Sequence, residues 1–150
     1  MCFYTAIWLG VTLGRKQELG RFAEMNKQVC VDFDGTLCQW NYPAMGEPMP
    51  GARNFLQAIV AMGLTPIVWS SRMSSITYNE RERADAVTQI GEWLNSHDMP
   101  YGAIDVGNSG KRNCLAYVDD RGVWFDPEKS PWEAVLQQIK LLRKRIEEME

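Results

Sequence analysis

Two carboxylates separated by a single residue are the first feature of the sequence that suggests chemistry. Asp32 and Asp34 lie in VCVDFDGTLC, directly after the apolar run at residues 29–31. Such a run predicts a buried strand, and Gly35 and Thr36 turn the chain away after it. We therefore expect both acids at the end of a strand. Like charges this close repel one another unless a cation or another group compensates them.

Further polar residues follow two other predicted strands. TPIVW is followed by Ser70, Ser71 and Arg72, and CLAYV is followed by Asp119 and Asp120. In an open parallel sheet, ligands bind beyond the carboxyl ends of the strands, so we expect these side chains to converge there. Clustered carboxylates provide the oxygen ligands that suit Mg²⁺. The ion would neutralise part of an incoming phosphate and leave one carboxylate free to attack phosphorus.

One lysine is expected to complete this site. Lys111 lies in GNSGKRN, shortly before the second acidic pair, and with Ser70 it would hold phosphoryl oxygens where charge must be stabilised. The segment lacks the G-x-x-x-x-G-K-[ST] spacing of a phosphate-binding loop, so a nucleoside triphosphate site is not expected. Arg112 is the alternative to Lys111. His97, the only histidine, lies near a predicted helix end, which favours a surface position over a catalytic one.

The rest of the sequence alternates between strand and helix patterns. Helices are predicted in ARNFLQAIVAMG, NERERADAVTQIGEWLNSH and SPWEAVLQQIKLLRKRIEEME, and strands at residues 29–32, 65–69, 103–106, 114–118 and 123–125. This alternation predicts a three-layer, Rossmann-like α/β fold, with a mainly parallel five-stranded sheet and helices on both faces.

Two of these helices carry apolar stripes whose partners can be anticipated. The first is expected to place Phe55, Leu56, Ile59, Val60 and Met62 on one face. The amphipathic helix at residues 130–150 opens with a capping box. Its stripe either covers the sheet or, in its distal part, pairs with another subunit.

Composition limits the class of protein. The chain has 150 residues, of which 45% are hydrophobic, and this size suits one domain with a core. The net charge of -3 gives no electrostatic footprint for duplex nucleic acid. The four cysteines include no C-x-x-C pair, so we expect reduced thiols, no zinc site and a cytoplasmic location.

The N-terminal segment has its own composition. Residues 2–14 are uncharged and mostly apolar, and Arg15 and Lys16 follow them. A secretory signal carries its positive charge before the apolar part and a membrane span needs about 20 apolar residues, so neither is expected, and no membrane partner is either. We expect residues 1–24 to be an appendage and residues 25–150 to form the catalytic domain. The equally weighted alternative is an element that packs on the domain or mediates self-association. A homo-oligomer would use this segment or the C-terminal helix.

Four motifs of the chain resemble those of the haloacid dehalogenase (HAD) superfamily. DFDGTL resembles its first motif, Ser70 after TPIVW its second, Lys111 its third and AYVDD its fourth, and the resemblance covers about residues 29–125. It implies a HAD-like fold. The stretches between the motifs are too short for an inserted cap domain, so the chain resembles the capless type.

The resemblance also implies roles for the acids. Asp32 becomes the nucleophile and Asp34 the general acid and base. Mg²⁺ would be held by the Asp32 carboxylate, the Asp34 backbone carbonyl and one or both of Asp119 and Asp120. An acid at position 34 implies phosphatase or phosphotransferase activity rather than dehalogenation. The neighbours assigned to substrate binding are Gly35, Thr36, Ser71 and Arg72.

The substrate is the most open part of this interpretation. IVWSSR and AYVDDR are similar to the phosphatase domain of phage-type polynucleotide kinases, and DDR is also similar to deoxyribonucleotide 5′-phosphatases, which carry a cap. A nucleotide or a polynucleotide 3′-phosphate is therefore expected. The alternatives are a phosphatase of small metabolites such as sugar phosphates and an inactive binding module. Trp40 and Tyr42, with several arginines, could supply stacking and phosphate contacts. The favoured interpretation is that these residues occupy ordinary positions at the solvated surface or in the core.

Overall fold

The chain divides into two compact units, Met1–Val118 and Asp119–Glu150. The computed structural model describes residues 20, 24, 26–107, 110–123 and 132–148. Most of the predicted N-terminal appendage, the start of the capping box at residues 130–131 and most of the predicted fifth strand at residues 123–125 lie outside these ranges. Within them, no helix is both long enough and apolar enough to cross a lipid bilayer.

A parallel sheet organises the first unit. Its strands are β1 (Gln28–Asp32), β2 (Thr65–Trp69), β3 (Ala103–Ile104) and β4 (Ala116–Val118), in the spatial order β3-β2-β1-β4. Every pair of neighbours is parallel. The described residues thus confirm the predicted α/β class and contain no large cap domain, but they provide four strands rather than five.

Two helices follow the first two strands. They are α1 (Ala52–Ala61) and α2 (Glu80–Ser96), and both agree with the predicted positions. Asn79 starts α2 with a capping box: its side chain accepts a bond of 3.0 Å from the Glu82 N–H, and the Glu82 carboxylate accepts one of 2.8 Å from the Asn79 N–H. His97 caps the other end of α2. The histidine therefore lies at a helix end, as predicted.

The core lies where β1 and β2 meet these helices. Val31, Val68, Leu56, Ile90 and Leu94 are fully buried and belong to one hydrophobic cluster. Four of the five residues of β1 are buried, as expected for a central strand of a parallel sheet that is covered on both faces. The central position of β1 fixes its carboxyl end at the middle of one sheet edge.

The apolar face of α1 is narrower than predicted. Leu56 and Ile59 are buried, but Phe55, Val60 and Met62 are 40%, 48% and 73% exposed. Successive helix residues are rotated by about 100°, so Phe55 and Val60 flank the buried stripe rather than lie in it. The five residues lie on one side of the helix, as predicted, but only the middle of that side is buried.

The second unit contains α3 (Trp132–Glu147). Arg143 pairs with Glu147 at 2.8 Å on its exposed side, at the i,i+4 spacing. Three residues of the apolar stripe of α3 are largely exposed: Trp132 by 68%, Leu136 by 57% and Ile139 by 48%. About half or more of each of these three side chains therefore lies at the surface.

Candidate functional site

Asp32 and Asp34 lie at the carboxyl end of the central strand. Asp32 is the last residue of β1 and pairs in register with Trp69 of β2. The Phe33 N–H extends this pairing with a hydrogen bond of 3.0 Å to the Trp69 carbonyl. Gly35 then reverses the chain with φ 85°, a conformation that glycine adopts without strain. Both acids are buried, with 8% and 6% of their surface exposed, so neither charge is solvated like a surface carboxylate.

The Asp34 carboxylate meets two side chains that follow β2. The Ser70 hydroxyl donates to Asp34 Oδ2 at 3.1 Å. Arg72 donates from Nε to Oδ2 and from Nη2 to Oδ1, both at 2.8 Å. Ser70 Oγ also accepts the Arg72 N–H at 3.1 Å, which caps the short 3-10 turn Ser71–Met73. Ser70 and Arg72 lie 36 and 38 positions after Asp34 in the chain, and the adjacent strand β2 brings both side chains to its carboxylate.

Four of the five N–H donors of the Arg72 guanidinium are bonded to protein groups. Besides Asp34, it donates from Nη1 to the Pro43 carbonyl at 2.6 Å and from Nη2 to the Ala44 carbonyl at 2.9 Å. The Tyr42 ring centroid lies 4.8 Å from its Cζ atom. Hydrogen bonds and charge from Asp34 hold the pKa of Arg72 above its usual value, although burial opposes this. Arg72, predicted to bind substrate, is therefore directed at Asp34 and at a loop.

The other residues assigned to substrate binding lie around this point. Thr36 Oγ1 donates to Asp32 Oδ2 at 3.4 Å, a long hydrogen bond. Ser71 is exposed in the 3-10 turn that follows β2. Gly35 forms the turn between the two acids and Thr36. All three lie at the same edge of the sheet, because each follows β1 or β2.

Residues 39–48, which we call the aromatic loop, are closed by backbone and side-chain bonds. The Gln39 N–H donates to the Glu47 carbonyl at 2.8 Å, and Trp93 Nε1 of α2 donates to the Gly46 carbonyl at 2.9 Å. Trp40 and Tyr42 stack with ring centroids 6.1 Å apart, and both remain exposed. The loop is therefore an ordered part of the surface next to Arg72.

Lys111 and Arg112 have separate contacts. The exposed Lys111 places its Nζ atom 4.5 Å from the centroid of the Tyr117 ring. Arg112 Nε donates to Asp105 Oδ2 at 2.7 Å. Among the contacts between described residues, none joins Lys111 to Asp32 or Asp34, so its predicted role stays a prediction.

Asp105 is a buried acid that the sequence reasoning missed. It follows β3 and is 7% exposed, and its Oδ1 atom accepts the Gly107 N–H at 2.9 Å. Burial alone would raise the pKa of Asp105, but the hydrogen bonds from Arg112 and Gly107 and the Arg112 charge lower it overall. The signal in the sequence was an acid directly after the third apolar run, in the same relation to β3 as Asp32 has to β1.

The second acidic pair belongs to the second unit. Asp119 Oδ1 accepts the Arg121 N–H at 2.7 Å, and Arg145 of α3 lies 3.7 Å from Asp120 Oδ2 and donates to the Asp120 carbonyl. Burial, followed by the neighbouring Asp119, raises the pKa of Asp120, while the charges of Arg121 and Arg145 oppose the shift. Both acids directly follow β4 in the chain, as predicted.

Comparison with known proteins identifies similar structures whose names state no activity. No protein-family model matches the chain, and no curated protein does. A conserved protein from Bacteroides thetaiotaomicron is 26% identical over 75% of this chain and 88% of its own, with a TM-score of 0.46. A target protein from Vibrio cholerae is 26% identical over 76% of this chain and 97% of its own, with a TM-score of 0.48. The HAD resemblance therefore rests on the motifs of the chain itself.

Proposed function

We propose that the protein is a Mg²⁺-dependent phosphomonoester hydrolase of the HAD type that works through an aspartyl phosphate on Asp32. The observation that supports this most directly is the 3.1 Å hydrogen bond from Ser70 to Asp34, two residues beyond Asp32. It joins residues that resemble the first and second HAD motifs and that lie far apart in the chain. A hydroxyl and two carboxylates at one sheet edge are the groups that such a reaction uses.

The available ligands suit Mg²⁺. Asp32, Asp119 and Asp120 provide carboxylate oxygens and Asp34 a backbone carbonyl, and hard oxygen ligands are what this ion prefers. Val118, the last residue of β4, pairs in register with Val31, and Asp119 is the next residue of the chain. Asp119 and Asp120 therefore directly follow the end of β4, and their assignment to the metal site rests on the resemblance of AYVDD to the fourth HAD motif. The ion would supply positive charge that compensates the carboxylates and the phosphoryl group.

Catalysis would proceed in two displacements at phosphorus. The cycle begins with Asp34 in its protonated form. A carboxylate oxygen of Asp32 attacks phosphorus, a new oxygen–phosphorus bond forms, and the bond to the leaving oxygen breaks as that oxygen takes the Asp34 proton. Water then attacks the same phosphorus while Asp34 takes its proton. The bond from Asp32 to phosphorus breaks, which releases inorganic phosphate and regenerates both carboxyl groups. Lys111 is proposed to stabilise charge on the phosphoryl oxygens.

The hydrogen bonds of Asp34 indicate where it carries the proton. The two carboxyl oxygens of Asp34 offer about four lone-pair positions, and three of these accept bonds from Ser70 and Arg72. Oδ2 accepts two of them and Oδ1 accepts one. The remaining lone pair on Oδ1 is therefore the position from which Asp34 would exchange a proton with the leaving group or water.

The test is phosphate release from a panel of phosphomonoesters, with Mg²⁺ and with a chelator. We expect activity that requires the metal, a loss of at least about a thousandfold in Asp32→Asn and a loss of about a hundredfold or more in Asp34→Asn. Asp85→Asn is the matched control, because Asp85 is an exposed acid of α2. Activity that survives in Asp32→Asn, or an inactive wild-type protein, would contradict the proposed function.

A further inference from the structure

Two aromatic side chains form an exposed surface on the aromatic loop. Trp40 and Tyr42 are 42% and 46% exposed, and their rings are stacked at an interplanar angle of 29°. Large aromatic side chains normally bury most of their surface, since each can remove a large apolar area from water. Two such rings left side by side at the surface offer a flat apolar area to a ligand.

This surface is held in place before any ligand arrives. The Tyr42 hydroxyl lies 2.6 Å from the Tyr78 hydroxyl, and the Tyr42 ring packs against the Arg72 guanidinium. Arg72 also fixes the two carbonyl groups that follow Tyr42, and Trp93 fixes that of Gly46. A surface ordered in this way loses little conformational freedom on binding, so more of the contact energy is available for affinity.

The same surface is coupled to the candidate catalytic acid. One guanidinium, that of Arg72, contacts both the Tyr42 ring and the Asp34 carboxylate. Its charge is compensated by Asp34 at 2.8 Å, so it attracts a second phosphate less than an unpaired guanidinium would. Tyr42 therefore lies one side chain away from the acid at which the phosphate would bind, and Trp40 stacks on Tyr42.

We propose that Trp40, supported by Tyr42, is a stacking platform for the base of a nucleoside phosphate, which makes the substrate of this site a nucleobase-bearing phosphomonoester. This inference rests on the proposed phosphatase function. Bases stack on aromatic side chains whatever their identity, because every base has a π-face. A sugar phosphate has no planar group and would leave the platform uncovered.

The test compares two substrates that differ only in the base. Ribose 5-phosphate and a nucleoside 5′-monophosphate present the same phosphate on the same sugar, so the ratio of their kcat/KM values isolates the base. We expect the wild-type protein to favour the nucleotide by roughly 5- to 150-fold, the range given by stacking one base on an aromatic side chain. Trp40→Ala should bring this ratio close to one, and Trp40→Phe should restore part of it.

Trp132→Ala is the matched control for removing an exposed indole. Trp132 is 68% exposed on α3 and has no place in the proposed site, so its removal should leave the ratio as in the wild type. Circular dichroism of each variant identifies any loss of fold, and Trp40→Phe keeps an aromatic ring if Trp40→Ala does not fold. A wild-type ratio near one, or a ratio that Trp40→Ala and Trp40→Phe both leave unchanged, would overturn the platform.

Binding measured by calorimetry distinguishes failure of the stacking platform from failure of the proposed phosphatase function. If no phosphomonoester is hydrolysed but the nucleotide binds at least fivefold more tightly than ribose 5-phosphate in a Trp40-dependent manner, the platform stands and the phosphatase proposal fails. If both are hydrolysed equally, the reverse holds. A nucleoside 3′-monophosphate and a 3′-phosphorylated oligonucleotide then distinguish the source of the base, since the better substrate identifies a free nucleotide or a strand end.

Discussion

Arg72 and Asp34 form a buried, bidentate ion pair, in which both donor–acceptor distances are 2.8 Å. Only 8% of the Arg72 side chain and 6% of the Asp34 side chain are exposed. A fork-to-fork pair of this kind fixes the orientation of a carboxylate as well as its charge. Because the guanidinium also donates to the Pro43 and Ala44 carbonyls, it connects Asp34, the proposed general acid and base, to the aromatic loop.

Removing the guanidinium should cost much more stability here than at the surface. Arg72→Ala leaves Asp34 buried without its partner, and we expect a loss of about 3–5 kcal/mol in the free energy of unfolding. Arg53→Ala is the control, because Arg53 pairs with Asp98 at 3.8 Å with both side chains more than half exposed, and it should cost less than about 1 kcal/mol. Urea unfolding measures both values. Equal losses in the two variants would contradict a structural role for the buried pair.

The shape of the aromatic loop should depend on the absence of a side chain at Gly46. A Cβ atom at this position would lie 2.0 Å from the Gln39 carbonyl oxygen, a distance that real structures do not show. Gly46→Ala must therefore displace the loop, and we expect it to lower the free energy of unfolding by about 1–3 kcal/mol and to reduce the preference for nucleotides.

Gly91→Ala is the matched control for Gly46→Ala. Gly91 lies inside α2, and a Cβ atom there would have its nearest neighbours at 3.6 Å, an ordinary contact. Replacing a helical glycine by alanine stabilises by up to about 1 kcal/mol, so the two substitutions should change urea midpoints in opposite directions. A stabilised Gly46→Ala variant would show that the loop is not held as described.

Local sequence patterns were sufficient to predict most of the fold. The apolar run before Asp32, the helical spacing in α1 and α2 and the turn residues between them each reflect interactions within a few residues. The positions of Asp32 and Asp34 at a strand end followed from these patterns, because a strand's carboxyl end is known once the strand is known. The partly buried face of α1 was less predictable, since the width of a buried stripe depends on the neighbouring strand.

The contacts of the site could not be derived in the same way. Arg72 lies 38 positions from Asp34. The sequence alone is equally consistent with an Arg72 side chain that lies in solvent, contacts a substrate or pairs with Asp34. Only the register of β1 with β2 brings the two together, and that register is a property of the assembled sheet. The pairing of Asp105 with Arg112 has the same origin, because it joins the end of β3 to the segment before β4.

Cys30 should resist alkylation in the folded protein. Its thiol is buried in β1, next to Cys114 with a sulfur–sulfur distance of 2.8 Å. Burial, followed by the hydrogen bond that the protonated thiol shares with Cys114, raises the pKa of Cys30 to about 12. At pH 8 only about one molecule in 10⁴ then carries the reactive thiolate, compared with roughly a quarter for an ordinary cysteine. Iodoacetamide labelling followed by peptide mass spectrometry should find Cys30 unmodified in buffer and modified in concentrated urea. Equal labelling rates in the two conditions would contradict the buried position.

The Asp105–Arg112 pair predicts a loss of stability at acid pH. The folded-state pKa of Asp105 is lowered, so the folded protein binds fewer protons than the unfolded chain, in which this group titrates at about 3.9. The stabilisation is therefore complete above the unfolded pKa and is lost as the pH falls towards the folded pKa. Asp105→Asn lacks this titration. The difference in unfolding free energy between wild type and Asp105→Asn should consequently shrink as the pH falls below about 5.

Arg112→Gln tests the cause of the shift. The substitution keeps a hydrogen-bond donor but removes the positive charge, whereas the burial that opposes the shift remains, because Asp105 itself is 7% exposed. The folded-state pKa of Asp105 should then rise, so the acid-induced loss of stability should begin at a higher pH than in the wild type. Unfolding by urea at a series of pH values measures the onset in each protein. Onsets at the same pH would mean that Arg112 does not set the ionisation of Asp105, and would leave the Gly107 N–H as the group that does.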